Sequence, residues 1–148
     1  MLNVLKSGFY TTIQDTGRFG LRDKGVPVSG IMDMETVYKL NMLLENDQNA
    51  AVLEMTMTGP TLEFEEDTFI TLGGAELSIT LNNEPVKNYV VIKIKSGDIL
   101  SYGRLKKGFR AYLAIKSGFQ TNKVLGSRSY YKSITPKGII KDKSVIEY

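Results

Sequence analysis

The sequence contains no cysteine, no histidine and no tryptophan. Without cysteine there is no disulfide, thiolate metal site or cysteine nucleophile. Without histidine there is no serine–histidine triad, no side chain with an ordinary pKa near neutrality, and none of the commonest transition-metal ligand. Any chemistry must therefore rest on Asp, Glu, Lys, Arg, Tyr, Ser, Thr, Asn, Gln and main-chain groups, and no metal site is expected. Net charge is low as well, only +3 over 148 residues. The basic residues of the C-terminal third are interleaved with apolar ones, so no electrostatic footprint for nucleic acid is expected. No apolar run approaches the roughly 20 residues that span a bilayer. The start, MLNVLKSGFY, lacks the basic region and apolar run of a secretory signal, so the expected location is the cytoplasm, with no membrane partner. Neither a GxxxxGK[ST] stretch nor a GxGxxG between a strand and a helix is present. No lysine sits between methionines as in a biotin-attachment site.

What the chain does contain is a β pattern. Leu2–Leu5, Thr11–Ile13, Ala51–Met57, Thr61–Phe64, Phe69–Leu72, Leu77–Leu81, Tyr89–Ile94, Ile99–Tyr102, Arg110–Ile115 and Ser144–Ile146 read as short strands, broken by Gly, Asn and Asp. Asn82-Asn83 is suited to a hairpin turn, because asparagine tolerates positive φ. One helix is expected over Asp33–Leu44, where Met34, Val37, Leu40 and Leu44 recur at spacings of three and four. Asp33 stands at its N-cap position and Asn46 at a left-handed C-terminal position. Short strands at regular spacing point to a mainly β barrel or sandwich, one domain over residues 1–148, with the single amphipathic helix covering an open end.

One stretch is dense in special residues. Thr11–Asp33, TTIQDTGRFGLRDKGVPVSGIMD, holds Gly17, Gly20, Gly25, Gly30, Pro27, Asp15, Asp23, Asp33, Arg18, Arg22 and Gln14. Such a composition fits an ordinary solvated loop, and it also fits a binding loop carried on a rigid frame. Gly73-Gly74, after the expected strand Phe69–Leu72, fits either a tight turn or a concavity of N–H donors for an anion. Arg18 and Arg128 are candidates for gripping a carboxylate or carbamoyl-like group, because a guanidinium offers a planar fork of donors. Either arginine can instead pair with a loop carboxylate and stiffen a turn. Glu54, inside Val52-Leu53-Glu54-Met55, is either a paired carboxylate facing the core or a residue facing water, and its alternation with Leu53 and Met55 favours water.

The wording of these segments resembles the allophanate hydrolase subunit 2 family. The resemblance lies in TTIQDTGRFG with GVPVSGIMD, LEMTMTGPTLEF (Leu53–Phe64), LGGAE (Leu72–Glu76), GFRAYLAI (Gly108–Ile115) and LGSRSYY (Leu125–Tyr131), in that order along the chain. The family includes the carboxyltransferase domain of urea amidolyase, the C-type subunit of the bacterial ATP-dependent 5-oxoprolinase, and an antagonist of the Kip sporulation-kinase inhibitor. The resemblance implies a cyclophilin-like β-barrel and places this chain over the N-terminal half of such a protein. It implies work beside a subunit 1-type cyclophilin-like partner and a lactam-binding subunit, opening 5-oxoproline to glutamate with ATP used by the complex. The implied alternatives are a regulatory module antagonising a Kip-type inhibitor, and carboxyl transfer, in which biotin enters on a partner. No cofactor is expected on this chain. With the motifs comes an expected site at one mouth of the barrel: Asp15, Arg18 and Arg128 in catalysis, and Gln14, Ser29, Asp33, Gly73, Gly74 and Ser127 around the substrate. The sequence departs from the family at Ser117-Gly118, at Tyr130 and at Thr135-Pro136-Lys137-Gly138.

Overall fold

Two long antiparallel strands frame the molecule in the computed structural model, which describes all residues from Met1 to Tyr148. In chain order the strands are β1 Leu2–Lys6, β2 Tyr10–Gln14, β3 Val52–Thr56, β4 Thr61–Phe64, β5 Thr68–Leu81, β6 Glu84–Pro85, β7 Ile92–Ile94, β8 Ile99–Ile115 and β9 Val145–Ile146, with one α-helix, α1, over Met34–Leu43 and a single 3-10 turn over Arg22–Lys24. They form a single sheet in the order β2-β3-β8-β4-β1-β9, while β5 pairs with β6, β7 and β8. Every pairing between strands is antiparallel. The expected mainly β fold with a single helix is what the chain adopts.

β5 and β8 replace four shorter strands expected from the sequence. Gly73-Gly74 and Gly103–Phe109 read as breaks, yet they lie inside the paired arms. Pairing is sustained there by bulges: the register shifts between Gly74 and Glu76 and again before Ile79. Gly74 (φ +84°) and Gly108 (φ +86°) supply the left-handed backbone that a bulge of this kind requires. The ends of β8 are buried and its middle is largely exposed. Its first part pairs with β4 and its last part with β3, so the long arm bends across two regions of the sheet.

The sheet curls, and the C-terminal segment spans the gap between its outer strands. Ile13 N donates to Gly138 O (2.8 Å) and Ile140 N to Thr11 O (2.9 Å), tying the segment to β2. Val4 N donates to Ser144 O (2.9 Å) and Lys143 N to Val4 O (2.8 Å), tying it to β1. Exposed ladder edges invite unwanted pairing, and this strap covers the free edge of β2 and continues the β9 side of β1. Leu2, Val4, Ile13, Leu53, Met55, Leu62, Phe64, Ile70, Leu72, Leu100, Leu113 and Phe119 fill the interior.

Helix α1 begins as its sequence predicts. Asp33 caps it, accepting from Thr36 N (3.1 Å) and Thr36 Oγ (2.6 Å). Its apolar face does the expected packing: Val37, Leu40 and Leu44 join Ile31, Val52, Tyr112 and Ala114 in a second, smaller core. Gly73 lies beneath the helix, where an added Cβ would come within 3.0 Å of Leu40 and 2.9 Å of Tyr89. At the far end the left-handed residue is Glu45 (φ +53°), not Asn46. Asn46 instead sends its amide to Ile115 O (2.7 Å) and Asn41 Oδ1 (3.1 Å), bonding the end of the helix to the sheet. The expected strand Tyr89–Ile94 shortens to Ile92–Ile94, because Tyr89 turns to φ +60° and sends its ring back over β5.

Candidate functional site

The residues expected at one mouth of the barrel fall into two separate assemblies. The first is a buried polar knot joining the loop after β2 to residues 124–130. Asp15 is 2% exposed. Its carboxylate accepts from Gly17 N (2.9 Å), Arg128 N (2.8 Å), Ser129 Oγ (2.8 Å) and Ser127 Oγ. Its main-chain N–H donates to Ser129 Oγ (3.0 Å) and its carbonyl accepts from Ile31 N (3.0 Å). Every face of this side chain is occupied by a donor from its own chain, which is the condition under which a buried carboxylate is tolerated.

Arg18, also 2% exposed, is the partner latch. Nη2 donates to Ser129 O (2.7 Å) and Ser127 O (3.3 Å), Nε to Val124 O (3.2 Å), and Nη1 reaches Ser29 Oγ at 3.5 Å. Its fork is thus spent on main-chain carbonyls, and it forms no ion pair. Gln14 completes the knot: it donates to Thr12 Oγ (3.0 Å) and Tyr130 O (3.4 Å), and accepts from Gly30 N (3.2 Å). Ser29 sits at φ +55°, Ser127 is fully buried, and Arg128 is half-buried with Nη2 on Gln120 Oε1 (3.0 Å). Asp15, Arg18, Gln14, Ser29, Ser127 and Arg128 are therefore brought together, in an arrangement that locks two loops.

The second assembly is an open cleft of about 660 Å³ between the start of α1 and the bulged middle of β5 and β8. It is lined by Asp33 and Gly74 from the expected set, with Gly73 packed nearby under Tyr89 and Leu40. The remaining walls come from Met32, Glu76, Tyr89, Lys107, Phe109, Arg110 and Tyr112, none of which stands out as a site residue in the sequence. The Gly73-Gly74 pair is neither a turn nor a simple nest of free donors: it is a bulged strand interior whose Gly74 N–H donates to Tyr89 Oη (3.0 Å).

Behind the cleft runs a fixed polar chain. Asp33 N donates to Tyr112 Oη (3.0 Å), which donates to Glu54 Oε2 (2.9 Å), and the same oxygen accepts from Met32 N (2.9 Å). Glu54 is buried, contrary to the expectation that it faces water, because every position of β3 is covered on both faces. Burial, and after it the Glu54 charge and hydrogen bond, push the Tyr112 hydroxyl far above its usual range, while the Asp33 N–H opposes them. Tyr112 is therefore a neutral, proton-holding bridge. The Oε1 of Glu54 lies 3.7 Å from Arg110 Nε, and the Arg110 guanidinium stands 5.3 Å from the Phe109 ring centre. The sequence does carry a signal for this cluster. Arg110 and Tyr112 alternate within GFRAYLAI, so a strand puts them on one face. The register β3–β8 sets Glu54 directly opposite Tyr112. That register is not readable from one sequence.

The relatives of the chain fit this architecture. The family model for the carboxyltransferase domain, subdomain A and B, matches residues 24–139. The chain is 38% identical to the C-type subunit of the Escherichia coli 5-oxoprolinase over 129 residues, covering 87% of this chain and 42% of that protein. It is 39% identical to urea amidolyase of Lachancea kluyveri over 129 residues, covering 86% of this chain and 7% of that protein. The crystal structure of the Kluyveromyces lactis urea carboxylase superposes over 99% of this chain and 13% of its own, with a TM-score of 0.93 at 36% identity. The chain thus spans less than half the length of these relatives. On the family model and these identities, it belongs to the carboxyltransferase domain family, subdomains A and B.

Proposed function

We propose that this chain works as part of the C-type subunit of an ATP-dependent 5-oxoprolinase complex, which opens 5-oxoproline to glutamate. The observation that carries the reading is its 38% identity to the corresponding Escherichia coli subunit along 87% of its length. A second such subunit, from Haemophilus influenzae, is 36% identical over the same share of the chain. The chain has no phosphate-binding loop of the kind that holds ATP. In this reading a subunit 1-type cyclophilin-like partner and a lactam-binding subunit supply the ATP chemistry, and this chain contributes the cleft beside α1. The proposed setting is the cytoplasm. The test is reconstitution: the chain in its native polypeptide is mixed with the two partners, and glutamate release from 5-oxoproline and ATP is followed. Release that requires this chain supports the reading, and a stable complex without release overturns it.

A second reading has its own support in the family match and in the urea carboxylase superposition at 36% identity. There the cleft would serve carboxyl transfer from carboxybiotin, carried on another protein, to a urea-like acceptor. Avidin blotting of the purified complex separates the two: a biotinylated partner favours carboxyl transfer, and its absence favours the oxoprolinase.

A further inference from the structure

The cleft beside α1 contains a guanidinium with unspent donors. The Arg110 side chain forms no hydrogen bond within the chain, and its Nε is shielded from solvent without a partner. Its single ionic neighbour is Glu54 Oε1 at 3.7 Å, too far for a hydrogen bond. Glu54 itself cannot swing toward it, because Met32 N and Tyr112 Oη hold Oε2 from two sides. The Phe109 ring flanks the guanidinium. The Arg110 side chain is 33% exposed and lines the cleft, so the donors open to a ligand are those of its outer nitrogens.

The other groups in the cleft do not satisfy it. Both oxygens of Asp33 are occupied by Thr36. Glu76 lies opposite Lys107 across the strand pair, and neither forms an ion pair. Tyr89 adds a second donor. Its hydroxyl accepts from Gly74 N (3.0 Å) and makes no donation within the chain, and its backbone is held at φ +60°. A non-glycine residue in that region stores strain, and such strain gathers at ligand sites.

We propose that this cleft binds a small amido acid, with the carboxylate on the Arg110 fork and the amide carbonyl on the Tyr89 hydroxyl. A guanidinium matches a carboxylate in two places at once, so the carboxylate carries the larger share of recognition. The choice of an amido acid rests on the oxoprolinase reading; the carboxylate grip does not.

The experiment is an amide-resolved NMR titration of the full chain with two probes: 5-oxoproline, and 2-pyrrolidinone, which is the same lactam without the carboxylate. The expected result is a dissociation constant at least about tenfold tighter for 5-oxoproline, with the shifts centred on Gly74, Ala75 and Phe109. Arg110→Gln is expected to bring 5-oxoproline down to the level of 2-pyrrolidinone, and Arg110→Lys to restore part of the difference. Equal binding of the two probes, binding of neither, or a preference that survives Arg110→Gln overturns the proposal. The wild-type comparison needs no variant, so a folding defect cannot mimic the answer. Glutamate release by the reconstituted complex decides the oxoprolinase reading separately.

Discussion

Removing the Asp15 carboxylate should unfold the knot that joins the loop after β2 to residues 124–130. In Asp15→Ala, Gly17 N and Arg128 N lose their acceptor, and both are fixed main-chain donors. The Ser127 and Ser129 hydroxyls lose the same acceptor in a site with no solvent access. A buried donor left unpaired costs about 1–3 kcal/mol. The two main-chain groups alone therefore cost about 4 kcal/mol, with the serines reorienting at a smaller loss. Against a domain stability of about 5–15 kcal/mol, that is a large fraction. At about 2–4 °C per kcal/mol for a chain of this size, the melting temperature should drop by roughly 10 °C. Asp15→Asn keeps one acceptor oxygen and should cost about half as much. Urea unfolding followed by circular dichroism measures this directly, with the midpoint expected to fall and the slope to stay constant. A loss below about 1 kcal/mol in Asp15→Ala would refute the reasoning. An Asp15→Asn protein as stable as wild type but dead in the reconstituted complex would move Asp15 from the frame to the chemistry.

Arg18→Met keeps the buried stem but strips the donors from the Val124, Ser127 and Ser129 carbonyls. It should speed hydrogen exchange at residues 124–130 well before it affects the core strands, and uniform exchange would contradict the latch. Gly59→Ala should destabilise by about 1–3 kcal/mol, because an added methyl overlaps the Tyr102 ring; a neutral result in urea would show that the ring can yield. Burial raises the pKa of the Tyr102 and Tyr112 hydroxyls above the ordinary 10.0. The folded state then keeps protons that the unfolded chain releases, so the contribution of these two tyrosines to stability is level below pH 10 and falls above it. Each tyrosine contributes about 1.4 kcal/mol per pH unit to that fall. Tyr102→Phe should remove one such share, and at neutral pH it should be neutral or stabilising, since Tyr102 Oη is buried without a partner; an unchanged alkaline slope contradicts this.

Much of the frame is legible because it rests on local rules. Asp33 reads as a cap and acts as one, and the three-and-four spacing of Val37, Leu40 and Leu44 faces the second core. Asn82-Asn83 turns with both residues at positive φ. What is not legible is non-local. Gly73-Gly74 and Gly108 look like ends of strands, and only the pairing of β5 with β8 turns them into bulged interiors of two long arms. Asp15, Arg18 and Ser127 read as candidates for chemistry because charged and polar residues between glycines suit both a site and a lock. Their burial and their hydrogen-bond partners, which one sequence does not give, show how fully their polar groups are occupied. The Glu54–Tyr112–Arg110 cluster depends on the β3–β8 register, which is set by the whole sheet.

Substrate contact is proposed at the Arg110 cleft. The most direct test is the ratio kcat/KM for 5-oxoproline in the reconstituted complex, measured with wild-type chain and with Arg110→Gln at matched stability. A drop of about tenfold or more, carried mainly by KM, is predicted, as expected when an interaction made equally in ground and transition states is lost. An unchanged ratio in a folded, assembled complex would contradict this assignment and send the search for the contact to another part of the complex.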